Sequence, residues 1–265
     1  MLHVTKYIKP LEGWSKPHLI LCDDGHLYVV KLMSNPQGLR VLANELFCCQ
    51  LAKQMKLPVP DGEIIYINEV ILNLLPLEIE ANEGPHFGSR YIPDSTDHPN
   101  EAEIAQCSNI DQVADMIIFD FWSNNNDRHL WREHCQNILV TRGKEPKFWM
   151  IDNANVFCGP NWTIDKVRAS VLQSQPFWGE LYAKFASHLN GPDPFNNALS
   201  RISALSTNDI WSATKGIPAE WGVAEAEFNE IVLYLDYRKN QICEWIRSLY
   251  SEFPNWEIYN EGVRR

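Results

Sequence analysis

The sequence predicts an α+β protein of two lobes, a small β-rich N-lobe with one helix followed by a larger, mainly helical C-lobe. Two runs rich in β-forming residues flank an Asp-Gly pair near the start of the chain, and one amphipathic helical pattern follows them. Helical patterns dominate beyond a Gly/Pro/Asp/His-rich stretch at residues 83–100. Strands grouped in one part of a chain and helices in another are typical of the α+β class. We place the N-lobe at residues 1–92 and the C-lobe at residues 93–265.

The first element predicted in the N-lobe is a β-hairpin. The runs HLILC (18–22) and HLYVVKLM (26–33) are joined by DDG (23–25). An Asp-Gly pair between two β-rich runs is a strong hairpin signal because its residues tolerate the left-handed backbone of a tight turn. Lys31 is therefore expected on the second strand of the hairpin.

A helix and further strands are expected to complete the N-lobe. Apolar residues recur at helical spacing over residues 37–56, and Pro58 and Pro60 end the segment. This helix carries Glu45. The run EIIYINEVILNLL (63–75) then predicts one or two more strands, because it is rich in β-branched residues.

The C-lobe begins with a helical pattern over residues 111–122, followed by the polar loop NNNDRH (124–129). QNILV (136–140) and FWMID (148–152) are short strand candidates, and most of the remaining chain is helical in pattern. One long helix is predicted over residues 224–250. Its apolar stripe, which we assign to core packing, comprises Phe228, Ile231, Val232, Leu235, Ile242, Trp245, Ile246 and Leu249.

Composition narrows the class of partner. The chain has 34 acidic and 23 basic side chains, a formal net charge of −11. An acidic protein is not attracted to nucleic-acid phosphates or to an anionic membrane surface, so we expect neither as a partner. No apolar run approaches the roughly 18 residues of a membrane span, and we expect a cytoplasmic protein. Oligomeric state is not predicted.

The cysteines indicate a reducing environment. There are seven of them, an odd number without a CxxC pair, and we expect reduced thiols packed in the core. An alternative interpretation is that His129, His134 and Cys135 form a metal site. Their spacing matches no usual zinc pattern, which disfavours that site.

Four residues in a fixed order carry the functional prediction. Phosphoryl transfer needs a carboxylate near the attacking hydroxyl, oxygen ligands for Mg²⁺, and a cation on the nucleotide phosphates. Asp127 supplies the first, Asn137 and Asp152 the second, and Lys31 the third. Each has an ordinary alternative, since aspartates build turns and lysines lie on exposed strands, but all four together in this order favour the phosphotransferase interpretation.

The assignment of Lys31 to the nucleotide phosphates is strengthened by a possible partner, Glu45. Lys31 follows two valines on the predicted strand, and Glu45 lies fourteen residues later on the predicted helix. A strand lysine paired with a helix glutamate positions ATP phosphates in kinases.

These segments resemble the HipA-like kinases, with some likeness to phosphoinositide lipid kinases. The likeness covers residues 13–157 and includes GWSKPHLI, YVVK, NELFCCQLAKQMKLPVP, HFGSRY, DRH, NILV and the strand ending in Ile-Asp. It implies a bilobal protein-kinase-like fold, with ATP and Mg²⁺ as cofactors and a serine or threonine of an unidentified protein as acceptor.

The resemblance also implies roles for single residues. Asp127 is the catalytic aspartate, Asn137 and Asp152 are Mg²⁺ ligands, and Lys31 contacts the phosphates with Glu45 as its partner. Further contacts to the nucleotide come from Gly13, Ser15 and Lys16 in the loop over the phosphates. Arg90 contributes another from the segment 86–91, where the chain is expected to cross between the lobes. Ser15 is also a candidate for regulatory autophosphorylation.

The sequence departs from the family pattern at three places. Asn137 follows Asp127 by ten residues, a wider spacing than is usual in the family, which implies an inserted loop. Asn153 follows the metal aspartate where other kinases often have Phe or His, and the first loop has one glycine instead of three. The wide spacing keeps open the alternative of a nucleotide-binding pseudokinase with a regulatory or toxin-related role. The Asp-Arg-His signature, which the lipid kinases share, keeps open a lipid or small-molecule kinase. Arg128 is expected to pair with a nearby carboxylate and thereby to hold the loop that carries Asp127.

Overall fold

The computed structural model describes residues 1–76, 81–128, 137–171, 179–252 and 256–257. The strands are β1 Leu2–Pro10, β2 His18–Cys22, β3 Leu27–Lys31, β4 Gly62–Ile67, β5 Gly84–Arg90, β6 Ser95–Thr96, β7 Ile138–Thr141, β8 Phe148–Met150, β9 Gly191–Pro192 and β10 Trp256–Glu257. The α-helices are α1 Arg40–Gln54, α2 Glu69–Leu72, α3 Glu101–Ala105, α4 Val113–Ser123, α5 Ile164–Val171, α6 Glu180–Ala186, α7 Asn196–Ala204, α8 Thr207–Ser212, α9 Glu225–Lys239 and α10 Ile242–Ser248. Short 3-10 helices cover Ile110–Gln112, Ala219–Trp221 and Tyr250–Glu252.

The N-terminal strands form a closed barrel in the order β1-β2-β3-β5-β4. The predicted hairpin is present as the antiparallel pair β2 and β3, and β1 closes the barrel by pairing in parallel with β4. The interior of the barrel is a small apolar cluster of its own, which includes Ile20, Val30 and Ile65. Closure leaves the barrel no free strand edge at which another chain could pair.

The expectation of one helix in the N-lobe is wrong, because a second short helix, α2, follows β4. The side chain of Asn68 accepts a hydrogen bond of 2.9 Å from the backbone N–H of Ile71. Asparagine is a favourable N-cap, so the second half of the apolar run at 63–75 turns into a helix instead of extending as a strand.

Close approach of β4 and β5 depends on a glycine. A Cβ atom at Gly88 would lie 2.1 Å from Cδ1 of Ile65, far inside van der Waals contact. Gly88 therefore allows Ile65 to fill the barrel interior.

The main core lies outside the barrel and joins α1 to the helices of the C-lobe. It contains α1 residues such as Leu42 and Phe47 together with all the large apolar residues of α4. All eleven residues of α4 are buried, and α7, α9 and α10 pack around it. Helix α1 is thus fixed by the C-lobe, and the fixed helix determines the position of Glu45.

The single long helix predicted over 224–250 is two helices, α9 and α10. The side chain of Asn240 donates a hydrogen bond of 3.1 Å to the backbone carbonyl of Asp236, which satisfies one of the last carbonyls of α9. The predicted stripe does pack in the core, since Phe228, Leu235 and Ile246 belong to the main cluster.

Two further expectations concern cysteines and membranes. Within the described residues the six cysteines are free thiols, and Cys22, Cys48, Cys49 and Cys107 are buried. No helix in the described part of the chain is both long and apolar enough to cross a bilayer.

Candidate active site

A cleft of about 430 Å³ lies between the barrel and the small sheet β6-β7-β8. Its lining includes Gly13, Ser15, Lys31, Glu45, Arg90, Asp127, Asn137 and Asp152. The structure therefore brings together every predicted site residue except Lys16. Lys16 lines a neighbouring cavity of about 280 Å³, which shares Gly13 and Ser15 with the cleft.

Lys31 is clamped between two carboxylates. Its Nζ lies 2.5 Å from Oε1 of Glu45 and 3.0 Å from Oδ1 of Asp152. Lys31 is the last residue of β3, Glu45 is on the buried face of α1, and Asp152 follows β8 with a left-handed φ of 56°. Three elements distant in sequence thus meet at one ammonium group.

Electrostatics favour the charged forms of Lys31 and Asp152 in this buried setting. Burial disfavours the charged form of Lys31, but the charges of Asp152 and Glu45 outweigh it and raise the pKa of the lysine. Burial raises the pKa of Glu45 despite its contact with Lys31. Asp152 is the more exposed carboxylate, and the ammonium of Lys31 overcomes its desolvation and lowers its pKa. Asp152 therefore presents a carboxylate to the cleft.

Asn153 links the triad to the loop that carries Asp127. Its backbone N–H donates to Oε2 of Glu45 over 2.9 Å, and its side-chain oxygen accepts from Nη2 of Arg128 over 2.9 Å. The asparagine that departs from the family pattern is therefore a buried connector.

Arg128 is a fully buried hub beneath the cleft. Its Nε donates to Oδ2 of Asp120 over 2.9 Å, and the Tyr182 hydroxyl donates to the same oxygen over 2.8 Å. Its Nη1 donates to the backbone carbonyls of Asn137 and, over 2.7 Å, Ile151. Burial disfavours the charged form of Arg128, yet the Asp120 carboxylate raises its pKa. Arg128 thus holds the start of β7 and the end of β8, the structural role expected from the sequence.

Asp127 lies beside Asn137 despite the ten residues between them. The Asn137 side chain donates to Oδ2 of Asp127 over 3.0 Å. The inserted loop therefore does not separate the two side chains. Residues 129–136 lie outside the described part of the chain, and with them His129, His134 and Cys135 of the alternative metal site.

Asn155 is a site residue that sequence reasoning missed. Its side chain donates to the same oxygen of Asp127, again over 3.0 Å. Asn155 follows Asp152 by three residues, and this second asparagine of the segment was the available signal.

An apolar wall in the cleft was also not predicted. It is formed by Val29, Val59, Phe87, Ile92, Leu139 and Met150. The segment 86–91, expected to cross between the lobes, mostly belongs to β5, and its end reaches the cleft at Arg90 and Tyr91. Apolar linings with a few polar groups are typical of small-molecule and cofactor sites.

The oxygen donors of the cleft fit a hard divalent cation. The carboxylate of Asp152 and the amide oxygen of Asn137 are the ligand types that Mg²⁺ takes in nucleotide sites, where phosphate oxygens and water complete the shell. The described residues contain no cluster of three or more His, Cys, Asp or Glu that could hold a metal by itself.

Comparisons with known proteins identify the family and the fold of the chain. The sequence profile of the HipA-like kinase family matches residues 4–250. No curated protein sequence matches the chain significantly.

Solved structures show the fold. The Helicobacter pylori proinflammatory kinase CtkA is 14% identical, with a TM-score of 0.61 over 93% of this chain and 97% of its own. Hydra Fam20 with sugar is 10% identical, with a TM-score of 0.59 over 99% and 90% of the two chains. The Golgi casein kinase with Mn/ADP bound is 10% identical, with a TM-score of 0.53 over 99% and 77%. The fold is therefore kinase-like.

Proposed function

The chain belongs to the HipA-like kinase family, and from this premise we propose that it is an ATP- and Mg²⁺-dependent protein kinase acting on serine or threonine. The proposal rests on one observation: in a single cleft, Lys31 lies between two carboxylates and Asp127 is hydrogen-bonded to Asn137. The Mn/ADP bound to the Golgi casein kinase supports a nucleotide and a divalent cation as ligands.

The proposed binding mode follows from chemistry already on the cleft walls. The apolar wall would take the adenine ring, and the loop with Gly13 and Ser15 would cover the phosphates. Lys31, held by Glu45, would donate to phosphate oxygens. Residues 1–92 would then act as the lobe that covers the nucleotide, and residues 93–265 as the lobe that carries the catalytic loop.

Mg²⁺, held by Asn137 and Asp152, would supply charge neutralisation on the phosphates. Asp127 would accept the hydrogen bond of the acceptor hydroxyl and orient its oxygen toward the γ-phosphorus. A new P–O bond would form to that oxygen as the bond to the β-phosphate oxygen breaks, and ADP would leave with the electron pair of the broken bond. The hydroxyl proton would pass to the Asp127 carboxylate and from there to solvent. The contribution of the chain is positioning and preorganised charge.

The acceptor is proposed to be a protein in the cytoplasm, not a nucleic acid or a membrane lipid. The supporting observation is the net charge of −11, which disfavours polyanionic partners.

Turnover tests this proposal. We expect wild-type protein incubated with Mg-ATP to release ADP, and a phosphate adduct to appear by intact-mass analysis on itself or on an added acceptor. Asp127→Asn should abolish both, whereas Asp165→Asn, on an exposed aspartate of α5, should change neither. ADP release that survives Asp127→Asn would refute the role of that residue. Wild-type protein that binds Mg-ATP without turnover would establish the pseudokinase alternative.

A further inference from the structure

Asp127 is held by two amides that approach one oxygen of its carboxylate. Asn137 Nδ2 and Asn155 Nδ2 each lie 3.0 Å from Oδ2. Among the described residues, none donates to Oδ1. Within the described part of the chain, one oxygen of the carboxylate is thus held by two amides and the other meets no donor.

The two amides differ in what else they can do. Asn137 lies at the start of β7 and lines the cleft, where its amide oxygen is a candidate metal ligand. Asn155 does not line the cleft. Its described side-chain contact is the hydrogen bond to Asp127, so Asn155 acts on the site only through that carboxylate.

Asn155 is well placed to be rigid. On one side, the carbonyl of Ala154 accepts a 2.9 Å hydrogen bond from Asn44, whose own oxygen accepts from the indole N–H of Trp162 over 2.9 Å. On the other side, the backbone N–H of Phe157 donates to the carbonyl of Ser123 over 2.7 Å.

Buried neighbours reinforce this anchoring. Ala154, Val156, Phe157 and Trp162 are all at most 2% exposed. The backbone around Asn155 is thus anchored before any substrate arrives, and its amide needs little reorganisation to hold Asp127.

From this geometry we propose that Asn155 is a positioning residue that fixes the rotamer of Asp127, so that Oδ1 faces the acceptor hydroxyl. The inference rests on the proposed kinase activity.

The proposal predicts a separation between turnover and binding. Asn155→Ala should lower kcat for ADP release by about 10-fold, the scale of one lost positioning hydrogen bond in a transition state. The affinity for Mg-ATP and the half-saturating Mg²⁺ concentration should stay within about two-fold of wild type, because Asn155 touches neither ligand. Asn161→Ala, on an exposed asparagine of the same segment, should match wild type in all three quantities.

The variant Asn155→Asp tests whether the amide donor of Asn155 matters or only the volume of its side chain. It preserves the shape of asparagine but places a carboxylate against Oδ2 of Asp127 in place of a donor. We expect a larger loss of kcat than in Asn155→Ala. Asn155→Asp with near wild-type kcat would overturn the proposal, since it would show that packing alone matters.

Nuclear magnetic resonance tests the contact without turnover. In protein without nucleotide, the side-chain N–H resonances of Asn155 should shift on Asp127→Ala, and those of Asn161 should not. Unshifted Asn155 resonances, or a changed Mg²⁺ dependence in Asn155→Ala, would overturn the positioning role. Absence of ADP release and of Mg-ATP binding in wild type would instead refute the proposed function, and the resonance test of the contact would remain decisive.

Discussion

Lys31→Met is expected to destabilise the protein and to abolish nucleotide binding for separable reasons. The substitution removes the ammonium that lies 2.5 Å from Glu45 and 3.0 Å from Asp152. Breaking a buried ion pair from one side leaves an uncompensated charge and costs about 3–5 kcal/mol. Asp152 keeps 32% of its side chain exposed and can be hydrated, so we expect the lower end, about 3 kcal/mol.

The expected loss is measurable as a fall in Tm of about 6–12 °C for a chain of this size. Without Lys31, both carboxylates lose their attractive partner and their folded-state pKa values rise. An acid whose pKa is raised on folding binds more protons in the folded state, so the variant gains stability as the pH falls. The deficit relative to wild type should therefore be smaller at pH 5 than at pH 7.

A double variant distinguishes charge from packing. Glu45→Gln removes one carboxylate charge, and its amide oxygen can still accept the hydrogen bond from the backbone of Asn153. Lys31→Met combined with Glu45→Gln should recover about half or more of the lost stability, since neutral replacements of buried pairs are well tolerated. It should not recover Mg-ATP binding. A Lys31→Met Tm within about 2 °C of wild type, or additive losses in the double variant, would refute the reasoning.

Three further predictions concern the barrel, a buried histidine and the Arg128 hub. In denaturant titrations, Gly88→Ala should lower the free energy of unfolding by about 1–3 kcal/mol, because the added Cβ overpacks against Ile65. Adding Ile65→Val, which removes Cδ1, should restore part of that free energy. No recovery would show that the contact is not the cause. Burial lowers the pKa of His86 to about 4, so the unfolded state binds the proton first, and stability should fall by about 2 kcal/mol between pH 7 and pH 5. His86→Asn, whose oxygen can accept the Met33 N–H, should remove that slope in urea titrations at the two pH values; an unchanged slope would contradict the assignment. Arg128→Met should cost about 3–5 kcal/mol in the same assay because it leaves Asp120 buried without its cation, and a loss below about 1 kcal/mol would argue against the hub.

Much of the site could be predicted because its parts have local signals. Asp-Gly specifies the β2–β3 turn and thereby the place of Lys31 on a strand. The helical spacing of α1 places Glu45, and the short β-rich runs β7 and β8 place Asn137 and Asp152 at the same end of a hairpin.

Elements that depend on irregular backbone or on tertiary contact could not be predicted. Strand β1 was missed because its pairing with β2 has register shifts between Val4 and Lys6 and between Tyr7 and Lys9, which break the two-residue alternation of a regular strand. Helix α2 was missed because its capping residue, Asn68, lies inside an apolar run.

The contacts of Asp127 also depend on tertiary structure and could not be predicted. Its hydrogen bond to Asn155 joins residues 28 apart in sequence, and no periodic pattern in the sequence predicts such a contact. The wide spacing from Asn137 left the position of the aspartate open, and the fold places the two side chains 3.0 Å apart.

Calorimetric titration of ATP in Mg²⁺ and in EDTA, on wild type and Asp152→Asn, tests the central claim most directly. The account predicts saturable binding by wild type in Mg²⁺, at least 10-fold weaker binding in EDTA, and a similar weakening in Asp152→Asn with Mg²⁺, a factor of ten being about 1.4 kcal/mol. Asp165→Asn should bind as wild type does. No binding by wild type, or binding indifferent to both Mg²⁺ and Asp152, would contradict the assignment of this cleft as a nucleotide site.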